Sequence, residues 1–316
     1  MTDFSPSPEG PVLMVGASGM DMVGRLKGEM HMGTSNPAQI RRAFGGVARN
    51  IAENLARLGQ PVILLSAVGS DDYGERLLKQ ASAAGIDVSA VVQIPERPTS
   101  TYLAVVNEKG ELQFALDDMR ATSAITPAYL HAHADLFKEA SLLFIDANLS
   151  KEALRTAVSL ARKARIPIGA DPTSTLLAHK LRPHLPRLRL IVPNSSEAGI
   201  LCDRQVDASK RRQTLEAAKC LVSQGVGIVI LTLAQFGVCY ATSHTSGYIP
   251  AIRTEILDPT GGGDALIAAV IFGLLNGMSL DEAIRLGVSA ATLTLRHPGA
   301  VLPDLTLEKL YDQLVI

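Results

Sequence analysis

Asp258-Pro259-Thr260-Gly261-Gly262-Gly263-Asp264 sets two carboxylates on either side of three glycines, and an apolar run at helical spacing, Ala265–Leu275, follows. Glycine lacks a Cβ, so successive backbone N–H groups can turn toward one point and a ligand can come close. A helix N-terminus adds partial positive charge, which makes the stretch an anion cradle. A carboxylate at the mouth of such a cradle would repel a resting phosphate. Asp264 makes chemical sense there as a general base, taking the proton from a hydroxyl that attacks phosphorus. The same spacing also suits a Gly-rich turn capped by Asp264.

A second polar cluster lies far upstream. Gly45-Gly46-Val47-Ala48-Arg49-Asn50 opens a helix in which Val47, Ile51, Asn54, Leu55 and Leu58 recur at helical spacing and Gly59 ends the pattern. The paired glycines allow close approach of backbone to a polar ligand, and Asn50, one turn in, suits a core face only if it finds a partner. Asp21 follows the short apolar strand Val12–Val15, at the sheet edge where ligands of open α/β folds bind. A carboxylate there can accept hydrogen bonds from sugar hydroxyls; it can also stabilise its own turn. Gly16–Gly24 superficially resembles a dinucleotide-binding turn, which must lead directly into a helix. Gly24, Gly28, Gly33 and Pro37 break any helix there, so the dehydrogenase reading fails.

The elements that must position these groups follow from hydrophobic periodicity. Apolar strands at Val62–Val68, Leu142–Asp146, Ile166–Ala170, Leu190–Val192 and Val226–Leu231 alternate with helices at Tyr73–Ala84, Lys151–Ala164, Gln213–Gln224, Ala265–Asn276 and Leu280–Leu295. That alternation predicts an α/β domain, a mostly parallel sheet flanked by helices. Its strands end in Asn148, Asp171, Asn194 with Glu197, and Thr232, as a binding edge requires. The alternation is interrupted twice, around 22–44 and 97–120. The second interruption holds a hairpin signature about Asn107-Glu108-Lys109-Gly110. Together these segments predict a small β-sheet lid over the edge where Asp21 lies. With no linker or internal repeat, 1–316 reads as one domain.

Composition narrows the partners. A formal charge of −1 leaves no electrostatic footprint for nucleic acid or an anionic membrane. Three cysteines, Cys202, Cys220 and Cys239, are odd in number and widely spaced, which points to reduced thiols in a cytoplasmic protein and away from a zinc site. The start, Met1–Pro11, is polar and reads as free of a secretory signal; no apolar run approaches the ~20 residues of a membrane span. The edges of a lid sheet are natural pairing sites, compatible with a homodimer through the lid as well as with a monomer.

Taken together, Gly45-Gly46-x-x-x-Asn50, Asn194-x-x-Glu197 and Asp258-x-Thr260-Gly261-x-Gly263-Asp264 resemble the signatures of the ribokinase-like (phosphofructokinase-B type) carbohydrate kinases, over essentially the whole chain. Within that family Thr34-Ser35-Asn36-Pro37, the run Gly45–Leu55, Thr99-Ser100-Thr101-Tyr102, Asp117-Asp118-Met119 and Asp146-Ala147-Asn148-Leu149 resemble the pseudouridine kinases. The resemblance implies phosphorylation of the 5′-hydroxyl of pseudouridine by ATP, with other nucleoside or sugar kinases and a non-catalytic nucleotide- or sugar-binding regulator as the rivals. It implies Asp264 as base and Gly261, Gly262 and Gly263 as an anion hole. Asp21, Gly45, Gly46, Asn50 and Asn148 would then hold the sugar, with Thr101 and Asp118 reading the substrate from the lid. Asn194, Thr232, Gly237 and Ser289 would line the ATP site, with Mg²⁺ organised by Asn194 and Glu197 through water. Gly299-Ala300 resembles a loop near a monovalent-cation (K⁺) site. Four departures from the family pattern stand out: Gly262 for alanine, Gly19 for asparagine, Ala234 for glycine and Ser289 for asparagine.

Overall fold

A computed structural model describes residues 10–314; the start read above as lacking a signal lies, through residue 9, outside them. Its strands are β1 (Val12–Val15), β2 (Gly19–Leu26), β3 (Ala38–Gly45), β4 (Val62–Leu65), β5 (Ala67–Gly69), β6 (Val92–Ile94), β7 (Ser100–Val106), β8 (Leu112–Asp118), β9 (Leu142–Asp146), β10 (Ile168–Asp171), β11 (Leu190–Ile191), β12 (Ile228–Thr232), β13 (Val238–Ala241) and β14 (Ser246–Ile249). The helices are α1 (Val47–Arg57), α2 (Asp72–Ala83), α3 (Pro127–Ala132), α4 (Ala134–Glu139), α5 (Lys151–Ala164), α6 (Ser195–Leu201), α7 (Arg211–Ser223), α8 (Gly262–Leu275), α9 (Leu280–Leu295) and α10 (Leu307–Gln313).

Eight strands form the main sheet in the order β14-β13-β12-β11-β10-β9-β1-β4. The pairs from β4 through β12 are parallel, while β13 and β14 add antiparallel strands at one edge. Successive side chains of a strand point to opposite faces, and here both faces are covered. Val12 and Met14 join a core with α1, α8 and α9, whereas Leu13 and Val15 join the other with α5 and α7. This is a three-layer arrangement, helices on both faces of a mostly parallel sheet, as the resemblance implied. The near-continuous apolar reading of the strands is thus the signature of a sheet buried on both sides.

The two interruptions do pair. The hydrogen-bonded order β3-β2-β7-β8 makes a separate four-stranded sheet, and Gly19–Leu26 is a strand where a dinucleotide-binding turn would have needed a helix. Most boundaries shift by one to three residues, and one strand divides: Val62–Val68 is β4 and β5, broken at Ser66, whose buried hydroxyl donates to the Gly16 carbonyl at 2.6 Å. β13, β14 and the short helices α3, α4, α6 and α10 carry too little periodicity to be read from sequence. Among the described residues no helix is long and apolar enough to cross a membrane.

Candidate active site

Helix α8 is apolar on every side and buried from Ala265 to Leu275, as expected of a helix wedged between others rather than laid on a surface. It packs between α1 and α9, and that burial fixes where its N-terminus points. Gly261 caps it in the left-handed region, φ 78°, and a Cβ there would lie 1.9 Å from the Ala300 carbonyl oxygen. A Cβ on Gly262 would press on Leu295 at 3.0 Å, while one on Gly263 would meet nothing within 4 Å. Backbone packing and the left-handed φ therefore demand Gly261, a Cβ at 262 would need only a small shift of the Leu295 side chain, and Gly263 is bare on the side that opens outward. The leading N–H groups of a helix have no intrahelical partner, so this end is a free donor cluster. Asp264 stands in that first turn.

The Asp264 carboxylate keeps part of its surface open but is densely surrounded. Burial pushes its pKa up to about 7; a hydrogen bond from Asn50 and the charge of Arg49 hold it down, and the charges of Asp21 and Asp146 push it further up. Asn50 is buried on α1 and donates Nδ2 to Asp264 Oδ2 at 2.8 Å, which answers what partner that asparagine has. A carboxylate with such a pKa is poised near neutrality to take a proton.

Asp21 is the third residue of lid strand β2 rather than a residue at the end of β1, between Ala43 of β3 and Tyr102 of β7. Its pKa is raised to about 6, chiefly by burial, with Arg49 opposing and Asp258 adding to the rise. A Cβ on Gly45 would sit 2.3 Å from the Asp21 carboxylate, so that glycine makes the space the carboxylate occupies. Gly46, φ 94°, lets α1 start against the backbone of Ala17 and Ser18. The turn after β1 and the start of α1 are pinned by one buried group. Asp146 Oδ2 accepts from Ala17 N at 2.8 Å and Ala48 N at 3.3 Å, and its Oδ1 accepts from Asn148 N at 2.9 Å. Asn148, half-buried, is thereby held through its backbone at the end of β9.

A cleft of about 320 Å³ opens beyond Asp21, between the lid and the Asp258–Thr260 segment. Val23, Tyr102, Ala104, Val106 and Leu112 give it apolar walls, and Arg25, Gln39 and Arg41 supply donors. Strand alternation corrects one expectation here. Thr101 pairs with Asp118, and Leu103 and Val105, in phase with Thr101, line a groove on the opposite face of the lid with Met22, Leu26, Ile40 and Phe114. Thr101 and Asp118 therefore turn away from the cleft. Asp118 is held instead by Arg120, at 2.6 and 2.8 Å, which pulls its pKa to about 2. A one-residue step along a strand changes face, and the cleft side belongs to Tyr102, whose hydroxyl is pushed up by burial and by Asp21 and Asp117.

Two of the polar strand ends meet, Asn194 bridging Thr232. Asn194 and Glu197 form a reciprocal cap of α6: Asn194 N donates to Glu197 Oε2 at 2.8 Å and Glu197 N to Asn194 Oδ1 at 2.9 Å. Thr232 at the end of β12 donates its N–H to the Pro193 carbonyl at 2.9 Å. Gly237, φ 95°, turns the chain so tightly that a Cβ would lie 2.2 Å from the Ile249 carbonyl oxygen. Ser289 is fully buried in α9 with its hydroxyl unpartnered, so it lines no open surface. Asp171 is raised well above the usual carboxylate range, first by burial and then by the charges of Glu197, Asp264 and Asp146. Glu197 is also raised by burial, against the pull of its bonds to Asn194. Uncompensated carboxylate oxygens suit a hard cation such as Mg²⁺. Among the described residues, however, no three His, Cys, Asp or Glu side chains converge to hold a metal alone. The donor set fits an ion that keeps most of its own water.

Four charged groups here are given no role by the sequence. Asp171 reads there only as one strand-end polar residue among several, and Asp146 as the end of an apolar strand and the first residue of a motif. Arg49 is buried on α1, paired with Glu53 at 2.7 Å and with the Phe44 carbonyl at 3.0 Å. A readable signal exists for it, since Arg49 and Glu53 lie four residues apart on a helix face that must be buried. Arg41, on β3, reaches Asp258 Oδ2 at 2.7 Å. Asp258 is also the acceptor for Gly299 N, at 3.1 Å, so the Gly299-Ala300 loop meets a carboxylate that already has a cation. That arrangement does not fit an added monovalent ion at Asp258.

The model of the pfkB family carbohydrate kinases matches residues 11–307. The chain is 34% identical to the pseudouridine kinase of Escherichia coli (strain K12) over 94% of each chain. It is 26% identical to the guanosine-inosine kinase of Exiguobacterium acetylicum, over 89% of this chain and 92% of that one. The solved structure of Arabidopsis thaliana ribokinase complexed with ribose and ATP superposes with a TM-score of 0.85 at 19% identity, covering 97% of this chain and 99% of that one.

Proposed function

Because the chain belongs to the pfkB family of carbohydrate kinases, and is thus a phosphotransferase acting on an alcohol, we propose that it transfers the γ-phosphoryl group of ATP to the 5′-hydroxyl of pseudouridine. The observation that carries the reading is Asp264, raised to about 7 and held by Asn50 at the open N-terminus of α8. The attacking hydroxyl gives its proton to the Asp264 carboxylate while its oxygen bonds to the γ-phosphorus and the bridging oxygen leaves with ADP. The N–H groups at Gly261–Gly263 face the charge that spreads over the phosphoryl oxygens. Bound Mg²⁺ would neutralise phosphate charge; Glu197 and Asp171, with Asn194 orienting Glu197, would hold its water shell. Asp21, Asn50, Asn148 and the Gly45-Gly46 backbone hold the sugar so that its hydroxyl lies near Asp264. Thr232 and Gly237 border the nucleotide.

The choice of a nucleoside over free ribose draws on two supports. One is the similarity to the E. coli pseudouridine kinase. The other is the cleft beyond Asp21, which leads away from Asp264 and gives a planar base apolar walls and donors. An ordinary purine nucleoside is the reading favoured by the likeness to the guanosine-inosine kinase. The apolar groove on the lid's other face, with Ile40 65% exposed, supports a homodimer through the lid; sedimentation equilibrium reporting only monomer at micromolar concentration would remove it. ADP release with Mg²⁺-ATP and, separately, pseudouridine, uridine, guanosine, inosine, adenosine and ribose tests the substrate. Preference for pseudouridine supports the proposal, and preference for any other acceptor discards the substrate while keeping the base.

A further inference from the structure

Asp258, the first residue of the glycine motif, is a junction of three separate parts of the chain. Its Oδ1 accepts from Thr260 N at 3.0 Å, which folds the loop that leads into α8. Its Oδ2 accepts from Gly299 N at 3.1 Å, in the loop after α9, and from the Arg41 guanidinium at 2.7 Å. The loop after α9 touches the cradle directly, because Gly261 has no Cβ where the Ala300 carbonyl lies. The first two partners are backbone groups of the main domain. The third is a side chain carried by the lid. We propose that Arg41 is a positioning residue that latches the lid to the anion cradle, so that the cradle is set when the lid lies over the cleft.

Burial and charge give the direction of the coupling. The Asp258 side chain is 7% exposed and the Arg41 side chain 43%. A carboxylate that deep is costly to leave without its cation, and Arg41 is its ion-pair partner among the described residues. Lifting the lid strips that charge from Asp258 and loosens the two loops it joins; seating the lid restores them. Sheet register ties the latch to the acceptor site. Arg41 lies opposite Val23 and Ala43 lies opposite Asp21, so Arg41 and Asp21 occupy neighbouring positions on the cleft face of adjacent strands. A sugar held by Asp21 therefore favours the lid position in which Arg41 reaches Asp258, and by linkage the latch favours the sugar. The guanidinium also supplies, from within the chain, positive charge beside the Gly299-Ala300 loop. A planar fork with several donors can bond a carboxylate while keeping other N–H groups toward the cleft; an ammonium cannot reproduce that geometry.

The inference rests on the kinase reading, and the test separates the two. Hydrogen exchange is followed in β3 (38–45) and the 258–263 loop for the wild type, Arg41→Lys and Arg41→Ala, each with pseudouridine and a non-hydrolysable ATP analogue. The latch predicts that exchange in both segments rises together in Arg41→Ala and partly in Arg41→Lys, with α5 unchanged. In turnover, kcat should fall by about 10²-fold, the scale of a sub-ångström to ångström misplacement. The share of ATP hydrolysed without phosphorylating the acceptor should rise several-fold, and added guanidinium ion should restore part of kcat in Arg41→Ala. Faster exchange confined to β3, with the 258–263 loop and the uncoupled hydrolysis unchanged, would overturn the latch and leave Arg41 a substrate contact only. A wild type that phosphorylates none of the acceptors defeats the kinase reading, while the paired exchange, which needs no turnover, still decides the coupling.

Discussion

Replacing Asp264 by asparagine should make this protein more stable while stopping it from working, and the structure sets both magnitudes. The Asp264 pKa is raised from 3.8 to about 7, first by burial. At ~1.36 kcal/mol per unit this corresponds to a ceiling of about 4 kcal/mol by which ionised Asp264 destabilises the fold. Relaxation and water in the open cleft reduce that, and we expect about 2 kcal/mol. The sign follows from proton binding: between the unfolded and folded pKa values the folded chain binds more protons, so stability falls as pH rises. The penalty is absent near pH 3.8, grows through neutral pH and levels off above about 7. Asparagine removes the charge and can keep the bond from Asn50 Nδ2. Its own amide can donate to Asn50 Oδ1, a buried oxygen without a partner. Thermal unfolding of both proteins at pH 5.5, 7.0 and 8.5 should show the advantage of the Asp264→Asn variant growing with pH, to about 4 °C at pH 8.5 for a chain of this size. Turnover should drop by about 10²–10⁴-fold, as for loss of a general base. A variant that is less stable at pH 8.5, or whose advantage is the same at every pH, would refute the reasoning that burial primes this carboxylate.

The same shifts predict the pH profile of the wild type. With Asp264 near 7 and Asp21 near 6, kcat/KM should fall about tenfold per unit below pH 7 and more steeply below pH 6. A flat profile from pH 5.5 to 8 would remove Asp264 as the base. Gly45→Ala puts a Cβ 2.3 Å from the Asp21 carboxylate and should raise the acceptor KM by about tenfold or more while leaving the KM for ATP near normal; steady-state kinetics decide. Tyr102→Ala should raise the acceptor KM, whereas Thr101→Ala, one residue along and on the other face, should leave it within about twofold. The reverse pattern would mean that the strand register is misplaced.

What is legible in the sequence is whatever has a period or a composition of its own. Strands such as Leu142–Asp146 and helices such as Lys151–Ala164 are readable to the residue because a sheet buried on both faces writes unbroken apolar runs, and its helices write stripes. The lid is legible only as two breaks in that rhythm, since a sheet with one exposed face and an edge has a weaker pattern. That weakness explains the error at Thr101 and Asp118: the strand is evident, but its phase depends on a partner strand, β2, that is remote in the chain. Asp264 and Asn50 are legible because glycines advertise them. Asp146 is not, because its work is done through backbone N–H groups of residues 17, 48 and 148, whose side chains record nothing of it. Arg41 is the limiting case. It is one of two adjacent arginines on a lid strand, and its meaning comes from Asp258, 217 residues away. Motifs thus expose the groups proposed to meet a ligand, while the groups that hold those motifs in place are set by tertiary contacts and can be read only from the folded chain.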